Sequence, residues 1–120
     1  MRQCVKMDFS RFREIAWSVY PENLPYSFEE CIDIFRCFFE LYQTYFGEEH
    51  PMLKAGQIYG IMQKMPYVDD SHVGIEDIDA STYPDMIRAY FHKSFRKCDY
   101  RINHFFSGRI RELLIYEVFY

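Results

Sequence analysis

The sequence predicts an all-α fold: about five helices in a compact orthogonal or irregular bundle around a central aromatic-rich helix over residues 28–46. Three observations lead there. First, Ser27 and Glu30 form a capping box, in which each side chain can satisfy the other residue's backbone N–H, and Gly47 supplies a left-handed stop. Second, at 100° per residue, Phe28, Cys31, Ile32, Ile34, Phe35, Phe38, Phe39, Leu41, Tyr42, Tyr45 and Phe46 fall within one arc of about 180°. A surface helix needs an apolar stripe of only about 100°, so this one needs neighbours on more than one side. The first, third and last helices are expected to lean on it. Third, Pro21, Pro51, Pro66 and Pro84 stand where helices of ordinary length would start or stop.

Along the chain, Asp8 or Ser10 can cap a first helix over Phe9 to Tyr20, which Pro21 ends. After the central helix, Pro51 fits the first turn of a third helix that reaches Met65. Its Gly56 and Gly60 lie four apart, as they would where another helix backbone approaches closely. Residues 66–81 lack periodicity and hold Asp69, Asp70, Glu76, Asp77 and Asp79, with room for a short extended piece around His72 to Ile75. A non-periodic stretch of that length marks a functional segment or a loop. A fourth helix is expected from Ser81 or Thr82 to Phe95, with Pro84 in its first turn. A last helix from Tyr100 to Phe119, with Asp99 as its cap, has a weak point at Ser107-Gly108.

The chain has 120 residues, enough for one domain with a core, and residues 1–120 read as a single helical domain. Hydrophobic residues make up 49% and aromatics 20%, with 12 Phe and 11 Tyr, which excludes a disordered chain. So many rings in a small body predict some left half-exposed on a binding surface. The opening residues lack the apolar run of a signal peptide, and Asp33, Arg36 and Glu40 interrupt the longest apolar stretch, so no membrane span is expected. Four cysteines without a secretion signal predict reduced thiols and a cytoplasmic location.

No catalytic or phosphate-binding motif is present. Aligning Gly74 with the glycine of a calcium-binding loop puts Ala80 where the bidentate glutamate belongs, and the match fails. His92, Cys98 and His104 are regularly spaced but meet no zinc pattern. The sequence therefore predicts no metal and no cofactor, and it leaves an enzymatic role open while favouring a non-enzymatic one.

Charge is unevenly spread. Residues 1–87 carry 7 basic against 15 acidic side chains, and residues 88–120 carry 7 against 3, within a net charge of −4. Two surfaces follow. Tyr116, Phe119 and Tyr120 at the apolar C-terminus, with Asp69, Asp70 and Asp77 on the acidic loop, are candidates for binding a protein partner or a second copy. Arg96, Lys97, Arg101, His104, Arg109 and Arg111 are candidates for binding nucleic acid, with phosphates as the target. A third reading has the acidic half mimicking nucleic acid in a partner's basic groove. The first of these, a non-enzymatic interaction or regulatory module, is the leading expectation.

Overall fold

The structure is a computed structural model that describes residues 6–67, 78–95 and 98–119. Six helices are present among them: α1 (Phe9–Val19), α2 (Phe28–Phe46), α3 (Ala55–Lys64), α4 (Tyr83–His92), α5 (Ile102–Phe105) and α6 (Ile110–Phe119). A single 3-10 turn, Ala80–Thr82, leads into α4. No strand occurs among the described residues; an isolated bridge joins Lys6 and Pro51.

The central helix forms as its ends require. Ser27 Oγ accepts from Glu30 N at 3.1 Å, and Glu30 Oε1 accepts from Ser27 N at 2.9 Å. At the other end Gly47 has φ +70°, and its N–H donates to Gln43 O. Asp8 caps α1 through Arg11 N. The buried arc of α2 holds Cys31, Ile32, Ile34, Phe35, Phe38, Phe39 and Tyr42.

The neighbours of α2 differ from the expected set. Its principal partner is α4, which also packs on α6, while α1 packs on α3. The reason lies in the inward face of α4, where Tyr83, Met86, Ile87, Tyr90 and Phe91 are all buried. The Phe91 ring stands 5.0 Å from Phe38 and stacks on Tyr45 at 5.4 Å. Helix α1 reaches α2 through Phe12, edge-on to Phe35 at 4.8 Å and to Phe39 at 5.2 Å. Edge-to-face rings at such separations add to the gain from burial.

Three predicted boundaries move. Helix α3 begins at Ala55 rather than at Pro51, which pairs with Lys6 instead. Helix α4 ends at His92 rather than Phe95: Lys93 is extended, and Tyr100 Oη accepts from Phe95 N and donates to Lys93 O, holding this stretch out of the helix. The last predicted helix is two. Gly108 takes φ +52°, a conformation that ends one helix and re-aims the next. Asp99 does accept from Arg101 N at 3.2 Å, at the start of α5. The segment read as extended around His72 to Ile75 lies outside the described residues.

Among the described residues there is no close approach at Gly56 or Gly60, since a Cβ at either would meet nothing within 4 Å. Glycine in a helix interior costs about 0.5–1 kcal/mol against alanine. Gly60→Ala is therefore expected to raise stability by about that amount, read as a higher thermal midpoint; a lowered midpoint would show a packing role that the structure does not contain.

One polar residue is built into the core. His50 is 1% exposed, against the rings of Phe39 at 4.9 Å and Tyr42 at 4.8 Å. Its Nδ1–H donates to Pro51 O at 2.8 Å, and its Nε2 accepts from Ile102 N at 3.0 Å. Those two bonds fix a neutral imidazole and tie the end of α2 to the start of α5. Burial pushes its pKa down to about 4.

Candidate functional site

The candidate site is the outer face of α6, and it is set by how α6 is anchored. Arg111 is fully buried. Its Nη1 donates to Lys64 O and Tyr67 O, the carbonyls at the end of α3, and its guanidinium lies 5.0 Å from the Phe106 ring centre. Nε and Nη2 find no hydrogen-bond partner among the described residues. Leu114 is buried beside it, with Ile110 and Ile115 packed against the core.

With that inner face fixed, helical spacing sets Arg109, Leu113 and Tyr116 in one stripe on the opposite side. Leu113 is 43% exposed and Tyr116 59%. Charged pairs border the stripe. Arg109 makes a two-point contact with Glu112, at 2.6 and 2.7 Å, and Lys93 pairs with Glu117. The second pair ties the C-terminal parts of α4 and α6 together. Tyr45 Oη meets His92 Nε2 at 2.6 Å, bringing the end of α2 to the same end of the bundle.

Of the residues the sequence nominated for protein binding, Tyr116 is on this face. Tyr120, Asp69, Asp70 and Asp77, and the side chain of Phe119, lie outside the described residues. The nucleic-acid set is not gathered on one surface. Arg111 is inside the core, where no phosphate reaches it. Arg101 lies beside Asp99, with Nε 3.6 Å from a carboxylate oxygen, and Arg109 is paired with Glu112. His104 is half-buried, with Nδ1 at 2.7 Å from Tyr90 Oη and 3.2 Å from Cys98 Sγ. Arg96 and Lys97 lie outside the described residues.

Sequence reasoning missed the burial of Arg111. Helix α6 is apolar on nearly all sides, so no phase of the pattern distinguishes its inner face from its outer one. It also missed Trp17, which is 64% exposed and stands edge-on to Phe28 at 4.9 Å, with Arg13 over that ring and paired with Glu29. The signal was there, since Trp17 falls off the apolar face of α1 formed by Phe9, Phe12 and Ala16.

A cleft of about 340 Å³ opens over α2, between Met7, Phe9, Arg36, Gln43 and His50. His50 offers it no chemistry, because both ring nitrogens are already bonded within the fold. Among the described residues, no three His, Cys, Asp or Glu side chains converge as metal ligands, and no helix is long and apolar enough to cross a membrane.

The chain matches no known family model, no curated protein and no solved structure.

Proposed function

We propose that the chain is a non-enzymatic, cytoplasmic protein-interaction module, and that the outer face of α6 docks a second copy of the same chain. The observation that carries this reading is the pair Leu113 and Tyr116, two large apolar side chains exposed on a helix whose opposite face is locked into the core. Aromatic side chains are enriched at interfaces between proteins. The choice of a second copy rests on charge. An isologous contact repeats one patch across a two-fold axis. If two α6 helices cross antiparallel about Leu113, the Arg109–Glu112 pair of each copy comes beside the Lys93–Glu117 pair of the other, and the apolar stripes meet between these charges. The free thiols of Cys31, Cys37 and Cys98 support the reducing compartment.

Leu113→Ser and Tyr116→Ser test the surface without disturbing the core. Light scattering on chromatographed protein is expected to find wild-type dimers at micromolar concentration and monomers for the double variant, with unchanged helical circular dichroism. A loss of about tenfold or more in dimer affinity corresponds to 1.4 kcal/mol. Equal masses for wild type and variant contradict the proposal.

A further inference from the structure

Away from α6's outer face, the segment after α4 assembles a second cluster from residues distant in its chemistry but close in space. Cys98 Sγ lies 3.2 Å from His104 Nδ1, Tyr90 Oη lies 2.7 Å from the same nitrogen, and Tyr90 Oη and Cys98 Sγ are 3.5 Å apart. A thiol, a phenol and an imidazole thus touch one another in a triangle. A fourth group is aimed at the sulfur, the Tyr100 N–H, which donates to it at 3.1 Å.

That last bond depends on an unusual backbone. Tyr100 has φ +56°, the one positive value at a non-glycine residue among those described. A bulky residue in this region is strained, and such strain collects at functional sites. The conformation is held from its far end by the Tyr100 hydroxyl, which bonds both Phe95 N and Lys93 O. Burial raises the pKa of Tyr90, so its hydroxyl stays a proton donor.

The other described thiols have different neighbours. Cys31 is buried on α2, with its pKa pushed up to about 12 by burial, and burial raises that of Cys37 also. Neither has an imidazole against its sulfur among the described residues. Cys98 is half-buried and does. A nucleophile and base within hydrogen-bond reach, with a third group holding the base, is the arrangement that activates a thiol.

We propose that Cys98, with His104 as its base, is a thiol–disulfide exchange site that accepts small-molecule disulfides and carries the product as a modification. In the step, the Tyr90 hydroxyl donates to Sγ rather than to Nδ1, and the one lone pair of His104 Nδ1 takes the Cys98 S–H proton as Sγ attacks one sulfur of the disulfide. A new Sγ–S bond forms, the original S–S bond breaks, and its electron pair leaves on the second sulfur. That thiolate takes the proton back from the imidazolium and departs as a thiol. The small disulfide is the oxidant, so nothing else is consumed. The Tyr100 N–H and the Tyr90 hydroxyl stabilise negative charge on the attacking sulfur.

Oxidised glutathione is the probe, and peptide mapping by mass spectrometry locates and times the adduct on the full chain. Cys98 is expected to be modified first, and faster in the native protein than in the same chain unfolded in urea, a comparison that needs no variant. His104→Gln is expected to slow the native reaction by about a hundredfold or more, the lower end of what a positioned base supplies. Tyr90→Phe, which keeps the ring in the core, is expected to slow it less. An adduct that forms first at Cys4, Cys31 or Cys37 overturns the proposal. So does a Cys98 rate that is no greater in the native protein than in urea, or one that folded His104→Gln leaves unchanged.

Discussion

Phe38→Ala is expected to cost about 3–5 kcal/mol, the range for emptying a buried phenylalanine site. The ring is fully buried, and four others surround it: Phe91 at 5.0 Å, Phe105 at 5.5 Å, and Tyr90 and His50 at 5.9 Å each. These come from α4, from α5 and from the segment after α2, so removing one side chain loosens three attachments at once. Aromatic rings do not collapse readily into such a hole, which puts the cost toward the upper end. Small domains are stable by about 5–15 kcal/mol in all, so the variant is expected to be partly unfolded at ambient temperature. Urea unfolding followed by circular dichroism checks it; a loss below about 1 kcal/mol would mean that α2 is not the centre of the core.

Acid is the second large effect, and His50 is its source. In the fold its pKa is about 4, while an unfolded histidine sits near 6.5. Below pH 6.5 the unfolded chain therefore binds a proton that the folded chain does not. Stability is full above about pH 6.5, falls as pH drops toward 4, and stops changing from this source below that. The gap corresponds to about 3 kcal/mol at 1.36 kcal/mol per pKa unit. Burial is the main cause, with the charge of Arg101 adding to it; the hydrogen bond to Pro51 and the charge of Asp99 oppose it. His50→Gln keeps an acceptor for Ile102 N–H and has no proton to gain. Its urea midpoint is expected to change less between pH 7 and pH 4.5 than that of the wild type. Identical slopes for the two proteins would assign the acid sensitivity to other groups.

Both predictions rest on features of unequal visibility in the sequence. Helix α2 could be read because its signals are local. A serine three residues before a glutamate and a glycine at the far end fix both boundaries, and both bonds of the capping box form. Its half-cylinder of rings announced several neighbours but could not say which, because α3, α4 and the last segment all carry apolar faces of similar size. The break between α5 and α6 was visible only as a weak point at Ser107-Gly108, since no propensity says that Gly108 takes a positive φ. The role of His50 depends on Ile102, 52 positions away, and a partner at that distance leaves no mark in the local pattern.

The candidate surfaces fared in the same way. Tyr116 is exposed. Arg109 keeps a local partner in Glu112, whereas Arg111 follows a tertiary one. Arg111, one turn from Ile115, turns inward to the carbonyls of Lys64 and Tyr67, where the chain leaves α3. The Cys98 cluster was legible only as a spacing of Cys98 and His104. The phenol of Tyr90, from the opposite side, and the turned backbone of Tyr100 complete it.

The central claim is that the outer face of α6 joins two copies of the chain. Sedimentation equilibrium of the wild-type protein across a micromolar concentration series tests it most directly. A single reversible monomer–dimer equilibrium, abolished by Leu113→Ser with Tyr116→Ser, is the predicted result. A monomer at every concentration, or a dimer that the double substitution leaves intact, would contradict it.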